Sequence, residues 1–362
     1  MTRMYNTRLV GILAAIASIG MMFLPAWSSA GPLRATVPLS AVGPISTFGL
    51  TDGYAPIYVE TPAGLFRSMI APYSRWTRVS GRRDITLLSP RPNNADDLLF
   101  ATKHGVYRSV DGGRTATLVI PGEHDIMRAP NSPSVVYVGL DGGLARSEDD
   151  GRHWTVFKQP ADPGTPPIAV GPIDPGNPHH LLGPGTVYTA PNNNWIYGQI
   201  YQSFNGGKTW VLAYQEGSSD PLGGVLGFSP VAPYTIYASW DGPTFWPTAT
   251  ENGLDWAPAD ITHLPKGSPP TGLLFNPRTG EMYGAYRILR YPKNCGTELY
   301  ALSTHAKSRR IFKRILGAHS CDDLKELDIT RDGQLIVAAY HLAHQQFVGK
   351  PLAIYQLPSG LD

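Results

Sequence analysis

Ser147-Glu148-Asp149-Asp150-Gly151-Arg152-His153-Trp154 is one of three closely related phrases in a chain of 362 residues. The same pattern, Ser-x-(Asp/Asn)-x-Gly-x-x-Trp, recurs at residues 109–116, where Ala116 replaces the tryptophan, and at residues 203–210, where Asn205 replaces the aspartate. We call these three segments the repeat turns. A phrase that recurs at intervals of about forty residues or more predicts an array of similar structural units.

A longer pattern surrounds the repeat turns. Gly105-Val-Tyr-Arg108-Ser109 and Gly143-Leu-Ala-Arg146-Ser147 share their form with Gly64-Leu-Phe-Arg67-Ser68. An apolar triplet is centred ten residues before each of these serines, at Tyr58, Leu99 and Tyr137. Short apolar segments that loosely alternate with polar residues and end at Gly-rich turns predict β-strands rather than helices.

The repeated pattern predicts an all-β fold with one β-propeller. Seven units of four short strands fit best, and six to eight are compatible with the spacing. The ends of the chain are expected to meet, because residues 33–43 can add the outer strand of the last unit. The predicted units lie near residues 45–80, 84–119, 125–158, 167–214, 223–260, 271–315 and 324–357.

The composition agrees with many short strands and tight turns. Charged residues make up 16% of the chain, and 39 Gly and 34 Pro residues together account for about a fifth of it. The N-terminal thirty residues contain two arginines and no acidic residue, so their removal lowers the formal net charge from +2 to 0. A neutral surface argues against a nucleic-acid partner, whose affinity depends on clustered Lys and Arg.

Residues 1–30 have the features of a signal peptide. Arg3 and Arg8 precede an uncharged apolar run from Leu9 to Leu24, and the small residues before Ala30 offer a cleavage site. We therefore predict a secreted, periplasmic or cell-surface protein whose propeller occupies residues 31–362. The alternative is an uncleaved N-terminal anchor, which is the only route to membrane contact that the sequence indicates.

The chain has two cysteines, Cys295 and Cys321. An oxidising compartment permits a disulfide between them, which would close a loop of about 25 residues and contribute about 3 kcal/mol in the chain-entropy model. Neither cysteine has the spacing of a metal ligand. No phosphate-binding loop or Ser/His/Asp arrangement is apparent either, so we expect no cofactor and no bound metal. We also expect a monomer.

The phrase Ser-x-Asp-x-Gly-x-x-Trp resembles the Asp-box, or BNR repeat, of propellers such as sialidases, sortilin-type receptors, xyloglucan-degrading enzymes and photosystem II assembly factors. The resemblance covers residues 45–260 clearly. It implies that each repeat turn joins the third and fourth strands of a unit. It does not specify an activity, because that superfamily includes both enzymes and binding proteins.

In that superfamily the motif residues hold the turn together. The resemblance implies that the Ser and Asp side chains bond to local backbone, that Gly adopts an unusual φ and that Trp packs between sheets. Asn205 favours this structural role over catalysis, because an amide cannot act as a carboxylate base. The positions concerned are Ser109, Asp111, Gly113, Ser147, Asp149, Gly151, Trp154, Ser203, Asn205, Gly207 and Trp210.

If the repeat turns share one face, the long insertions fall on the opposite face, and propellers usually meet their ligands on that face or in the central channel. Aromatic, Asn and Asp side chains in such insertions suit stacking on sugar rings or contact with a protein, although loops packing on one another explain them as well. The candidate binding residues are Trp195, Tyr197, Trp240, Asp241, Trp246, Arg287 and Tyr291. Asp84 and Asp125, in connections between units, are the candidate catalytic carboxylates.

We therefore expect an exported, non-catalytic propeller that binds a protein or glycan ligand on the face opposite the repeat turns. The alternative is a glycoside hydrolase of the sialidase-like propeller type, which needs two carboxylates flanking the scissile bond. Phe66-Arg67-Ser68-Met69 departs from the Phe-Arg-Ile-Pro motif of sialidases, which disfavours that particular activity.

Overall fold

All regular secondary structure in the described part of the chain is β-strand. The computed structural model describes residues 35–38, 47–50, 56–69, 76–92, 94–122, 124–140, 142–158, 171–188, 196–215, 226–231, 234–238, 248–250, 255, 257–258, 270–290, 294–302, 313–316, 322–330, 334–343, 346–349 and 353–356. The chain divides into two compact parts, Met1–Gly31 and Pro32–Asp362, and every described residue belongs to the second. Across the described ranges, no helix has the length and apolar character needed to cross a membrane.

Three four-stranded antiparallel sheets follow one another after the first strand, β1 (Ala35–Pro38), and in each the strands pair in chain order. The first sheet contains β2 (Thr47–Leu50), β3 (Ile57–Thr61), β4 (Gly64–Ser68) and β5 (Thr77–Ser80). The second contains β6 (Ile85–Arg91), β7 (Asn94–Thr102), β8 (Gly105–Ser109) and β9 (Thr117–Pro121). The third contains β10 (Ile126–Arg128), β11 (Val136–Leu140), β12 (Gly143–Ser147) and β13 (Thr155–Lys158).

The next two sheets keep the same order. The fourth contains β14 (Leu181–Tyr188), β15 (Ile196–Ser203) and β16 (Val211–Gln215), and an isolated bridge from Ile173 to Leu181 stands where a first strand is expected. The fifth contains β17 (Leu226–Phe228), β18 (Ile236–Ala238), β19 (Thr248–Thr250) and β20 (Ala257–Pro258).

The remaining strands pair into one nine-stranded sheet. Its first antiparallel group is β21 (Pro270–Phe275), β22 (Met282–Arg290), β23 (Asn294–Leu302) and β24 (Lys313–Leu316). Its second group is β25 (Asp322–Ile329), β26 (Gln334–Ala343), β27 (Gln346–Gly349) and β28 (Ala353–Gln356), with β1 alongside β28. A single parallel pair, Gly296 with Asp322, joins the two groups. The number of blades stays a prediction.

The two ends of the propeller segment meet in this last sheet. β1 pairs antiparallel with β28 through Ala35 and Tyr355, Val37 and Ile354, and Pro38 and Ala353. The first strand of the chain therefore completes the last group of strands.

The apolar triplets form the core because their sheets are covered on both sides. All nine triplet residues of the first three units are at most 1% exposed: Ile57, Tyr58, Val59, Leu98, Leu99, Phe100, Val136, Tyr137 and Val138. Leu98 and Phe100 pack against the first unit, whereas Leu99 and Ala101 pack against the third. Each such side chain contributes about 1.5–3 kcal/mol of burial free energy, so stacking between neighbouring sheets supplies the stability that one sheet lacks.

Candidate binding surface

Strand order assigns every connection within a unit to one of two faces. Because the strands are antiparallel, the turns between first and second strands and between third and fourth strands lie at the same end. The repeat turns begin at the last residue of β8, β12 and β15, which are third strands. We call this end the turn face. The opposite end, the loop face, carries the connections between second and third strands and those between units.

Serine fixes the geometry of each repeat turn. The Ser109 hydroxyl oxygen accepts the backbone N–H of Asp111 at 3.3 Å and that of Gly113 at 2.8 Å. The bond from the glycine N–H to the serine oxygen is 2.8 Å in all three turns, in the pairs Ser109 and Gly113, Ser147 and Gly151, and Ser203 and Gly207. The serines are buried, so these bonds also satisfy polar groups that water does not reach.

The carboxylate of the first turn is occupied by its own turn. Asp111 accepts the backbone N–H of Thr115 at 2.9 Å and the Thr115 hydroxyl at 2.7 Å, and Ser109 donates to it at 2.8 Å. These hydrogen bonds, with that from the Thr115 hydroxyl as the largest effect, lower the pKa of Asp111 to about 2. Such a carboxylate is a weak base whose acceptor positions are already taken.

The second and third turns repeat these contacts with different chemistry. Asn205 accepts the Thr209 N–H at 2.9 Å and donates to the Thr209 hydroxyl at 2.8 Å, so a neutral amide serves in place of the carboxylate. Partial desolvation raises the pKa of Asp149, but hydrogen bonds from His153 and Ser147 outweigh it and hold that pKa below its usual range.

The glycine in each turn rests on the unit before it. Gly113, Gly151 and Gly207 have φ values of 93°, 79° and 85°, in the left-handed region that favours glycine. A Cβ added at these positions would lie 2.7 Å from Leu65, 2.9 Å from Leu99 and 1.9 Å from Leu144, respectively. Those leucines belong to the preceding unit, so the turns are contact points between neighbouring sheets.

The last turn position packs between the same pairs of sheets. Trp154 contacts the core formed by the second and third units, and Trp210 contacts the core of the third and fourth. Ala116 takes this place between the first and second units, where Tyr58 and Phe100 fill the space.

The arginines that precede Ser68, Ser109 and Ser147 also contact the next unit. Arg108 Nε donates to the backbone carbonyl of Asp150 at 2.9 Å. Arg146 Nη1 donates to the carbonyls of Asn205 and Gly206 at 3.1 and 3.3 Å. Arg67 instead forms an ion pair with Asp96 of the second unit at 2.6 Å. The sequence repeats these Arg-Ser pairs without indicating their role, and the structure shows that their arginines link successive units.

Asp150 adds charge to one of these junctions. It stands where the other turns have Gly112 and Gly206, and it shares their left-handed backbone with a φ of 62°. Its carboxylate lies 3.1 Å from Arg91 and 3.1 Å from Arg128. Nearby, Arg108 pairs with Asp97 at 2.7 Å. The sequence does not reveal this network of charges, because its members come from four strands and one turn and share no local spacing.

A second buried polar group lies between the fourth and fifth units. His180 Nδ1 is 2.8 Å from the Asp174 carboxylate, and its Nε2 is 3.4 Å from the side-chain oxygen of Gln202. Phe204 stacks on the His180 ring at 4.5 Å, and Phe228 meets it edge-on. The histidine is thus packed and bonded within the fold. No group of three or more His, Cys, Asp or Glu suited to a metal ion occurs among the residues described.

Chain order assigns the candidate binding residues to the loop face. Tyr197 is the second residue of β15 and lies opposite Val187, and Arg287 lies in β22 opposite Thr297. The side chains of these two residues are outside the description, as are the remaining candidates: Trp195, Trp240, Asp241, Trp246 and Tyr291. Five of the seven lie in connections between second and third strands, Tyr197 is the second residue of β15, and Arg287 lies in β22 three residues before that strand ends. Their role stays a prediction.

The two candidate catalytic carboxylates also belong to the loop face. Asp84 directly precedes β6 and lies 3.4 Å from Arg82, and Asp125 directly precedes β10 with its side chain exposed. Arg82 in turn stacks on Phe100 and Tyr107, at 5.1 and 4.8 Å from the ring centres. Asp84 is therefore held by an arginine anchored on the core.

The backbone brings the neighbours of the two cysteines together. Cys295 precedes Gly296, which pairs with Asp322, the residue after Cys321. Cys321 and the side chain of Cys295 lie outside the described residues, so the disulfide stays a prediction.

Comparison with known proteins gives matches in structure only. No protein-family model matches the chain, and no curated protein sequence matches it. YCF48 from Cyanidioschyzon merolae superposes with a TM-score of 0.58 and 12% identity over 91% of this chain and all of that one. YCF48 bound to D1 peptide gives a TM-score of 0.57, also at 12% identity, over 91% of this chain and 97% of that one.

An enzyme is also among the structural matches. The GH74 xyloglucanase from Xanthomonas campestris superposes with a TM-score of 0.54 and 16% identity over 89% of this chain. This chain spans about half, 55%, of that enzyme. At such low identity these matches establish the fold and not the activity.

The chain is a β-propeller. Its strand pattern, with small antiparallel sheets that follow in chain order and a first strand beside the last, agrees with these neighbours. The predicted fold class is confirmed. Propellers of this kind include a hydrolase and a peptide-bound protein, so the function has to be argued from the surfaces of this chain.

Proposed function

We propose that the protein is an exported, non-catalytic propeller that binds a protein ligand, or a glycan, on its loop face. One observation carries this proposal. The motif side chains of the repeat turns hold the turns and join the units, so the residues that recur in the pattern serve the fold. The loop face carries the long aromatic insertions instead.

A protein ligand is the better-supported class. YCF48 has been solved with a D1 peptide, so a propeller of this architecture and length can hold a peptide. Aromatic side chains with a polar edge, such as those of Trp195, Tyr197 and Trp246, are enriched at protein interfaces and also stack on sugar rings. The same residues therefore suit a protein or a glycan, and the peptide bound to YCF48 favours a protein ligand.

Photo-crosslinking tests this proposal in the native compartment. A photoreactive amino acid replaces Trp246 or Tyr291 on the loop face, and the exposed Arg152 or Lys208 on the turn face serves as the matched position. We expect a discrete crosslinked species from the loop-face positions only. Equal crosslinking from both faces, or a product from the turn face alone, would overturn the assignment of the binding face.

A glycoside hydrolase is the second candidate, and one observation favours it. Asp84 and Asp125 both precede the first strand of a unit and therefore lie on the same face. Hydrolysis requires two carboxylates that converge on one bond. A panel of chromogenic glycosides, assayed with the wild type and with Asp84→Asn and Asp125→Asn, distinguishes the two functions. Turnover that either substitution abolishes would make the protein an enzyme.

Export is part of the proposal and has a separate test. N-terminal sequencing of protein recovered from the producing cells should show a chain that begins near Gly31. A chain that still begins near Met1 would favour the uncleaved anchor.

A further inference from the structure

We propose that Asn205 is a site of spontaneous chemical modification, at which deamidation records the opening of the third repeat turn. Asn205 and Gly206 form one of two Asn-Gly pairs in the chain, and the other, Asn252 and Gly253, lies outside the described residues. An asparagine followed by glycine reacts fastest in unfolded chains, because glycine has no side chain to hinder its backbone nitrogen. The other two repeat turns hold an aspartate at this position, so among the three only this turn can deamidate there.

The reaction needs no partner other than water. The Gly206 backbone nitrogen, once it has lost its proton, attacks the side-chain carbonyl carbon of Asn205. A bond forms between these two atoms, the bond from that carbon to Nδ2 breaks, and Nδ2 takes up a proton and leaves as ammonia. Water then opens the five-membered ring at one of its two carbonyl carbons, which gives aspartate, or at the other, which gives isoaspartate.

The fold withholds the attacking nitrogen. The Gly206 backbone N–H donates to the carbonyl of His179 at 2.8 Å, and Gly206 is buried although Asn205 is exposed. An N–H that is buried and already donates to a carbonyl exchanges its proton with water only when the surrounding structure opens. The attack on Asn205 therefore requires the hydrogen bond between Gly206 and His179 to break.

The reacting amide is held as well. Asn205 Oδ1 accepts the backbone N–H of Thr209 at 2.9 Å and the hydroxyl of Ser203 at 3.1 Å, and Asn205 Nδ2 donates to the Thr209 hydroxyl at 2.8 Å. Three hydrogen bonds thus keep this exposed side chain in one orientation. Nδ2 cannot leave as ammonia until its bond to Thr209 is lost.

Two units share the restraint on this turn. His179 belongs to the fourth unit itself, whereas Arg146 of the third unit donates to the carbonyls of Asn205 and Gly206 at 3.1 and 3.3 Å. Both contacts hold the peptide segment that has to rearrange before the ring closes. The rate of modification therefore follows the fraction of molecules in which the turn has opened, when opening and closing are fast relative to the reaction.

The two products differ in their effect on the turn. Aspartate at position 205 reproduces the carboxylate of Asp111 and Asp149, which accepts the backbone N–H of the fourth residue after it, so this product keeps the turn. Isoaspartate carries the main chain through the former side chain, so the group that bonds Thr209 is lost from its place. One product is therefore tolerated, and the other permanently loosens the contact between the third and fourth units.

Peptide mapping by mass spectrometry tests the proposal with the full chain. The protein is incubated, folded or in urea, in mildly alkaline buffer made with water enriched in heavy oxygen, which labels the carboxylates formed. In urea we expect rapid labelling at Asn205 and at Asn252, and in the folded protein labelling of Asn205 should be slower by about tenfold or more. Equal rates at Asn205 in the two states, or no reaction there in urea, would overturn the proposal.

A matched pair of variants tests the restraint between units. Arg146→Ala removes the bonds to the Asn205 and Gly206 carbonyls, so we expect labelling of Asn205 about tenfold faster than in the folded wild type. Arg152→Ala removes an exposed cation of the preceding turn and should leave the rate unchanged. Equal rates in the wild type and the Arg146 variant would contradict a restraint by the third unit.

A second pair tests the bonds within the turn and the fate of the product. Thr209→Val, at an exposed position, removes the hydroxyl that Nδ2 bonds and should speed labelling about threefold with little change in the urea midpoint. Asn205→Asp should unfold at nearly the same urea concentration as the wild type. Protein enriched in isoaspartate should show faster amide exchange across residues 203–210 than this variant, and equal exchange would contradict the difference between the products.

Discussion

At Asp150 the backbone is strained, and the side chain forms ion pairs that join two units. A non-glycine residue with positive φ is strained by about 1–3 kcal/mol, and the two equivalent turn positions avoid this cost with glycine. The Asp150 carboxylate instead forms ion pairs with Arg91 and with Arg128, which is nearly buried. The sequence displayed the Asp-for-Gly change, but the arginines that explain it lie on distant strands.

The balance at Asp150 can be measured by substitution. Asp150→Gly relieves the strain but leaves the Arg128 guanidinium buried without its carboxylate, a loss of about 3–5 kcal/mol in comparable pairs. We expect a net destabilisation of about 2 kcal/mol in urea denaturation. Asp150→Asn is the control, because asparagine also adopts positive φ but carries no charge. This variant should be destabilised as well. A glycine variant more stable than the wild type would show that strain dominates.

The low pKa of Asp111 predicts how one turn responds to acid. A carboxyl group whose pKa is lowered on folding stabilises the protein above its unfolded pKa, near 3.8, and this contribution is lost as the pH falls through about 2. Asp111→Asn should therefore be less stable than the wild type at pH 5, and the difference should shrink toward pH 2. Asn205 occupies the equivalent position in the third repeat turn, so we expect the Asp111→Asn variant to fold. A difference that is constant with pH would contradict the assigned hydrogen bonds.

At the scale of elements, the third strand and the turn after it act together. An arginine of the strand donates hydrogen bonds to the turn of the next unit. The turn accepts such bonds from an arginine of the unit before it. The apolar triplets, the segments of the form Gly-x-x-Arg-Ser and the Ser-x-Asp-x-Gly turns could be predicted from the sequence, because their chemistry is local. The pairing of units could not, because the partners of Arg108 and Arg146 lie about 40 to 60 residues away.

Arg146→Ala tests this link between elements. It removes two hydrogen bonds from a charged donor to the carbonyls of Asn205 and Gly206 and the stacking of Arg146 on Phe157. We expect a destabilisation of about 1.5–3 kcal/mol and faster amide exchange across residues 203–210 of the next unit. Arg152→Ala, at an exposed position, should stay within about 0.5 kcal/mol of the wild type. Faster exchange confined to the third unit would contradict a role between units.

At the scale of the whole molecule, the fold class and the meeting of the chain ends were accessible from the repeats alone. Residues 33–43 were expected to complete the last unit, and β1 lies beside β28. The face on which the repeat turns lie follows from strand order as well. The ligand does not, because repeats report what the units share, whereas the proposed ligand contacts belong to insertions, such as residues 189–195, that differ from unit to unit.

The contact between the chain ends predicts the effect of truncation. Removing residues 1–40 deletes β1 and leaves β28 without its outer neighbour, so a strand edge that was paired becomes exposed. We expect a melting temperature lower by about 5 °C or more and a less cooperative transition. The chain that lacks only residues 1–31 is the control and should melt like the exported protein. Equal melting of both chains would show that β1 contributes little to closure.

The most direct test of the central claim is hydrogen–deuterium exchange of the protein, with and without the partner identified by crosslinking. Binding on the loop face predicts slower exchange in segments 189–195, 239–247 and 291–293, with exchange of the repeat turns unchanged. Protection centred on residues 109–116, 147–154 and 203–210 would contradict it, because the turn face would then hold the ligand.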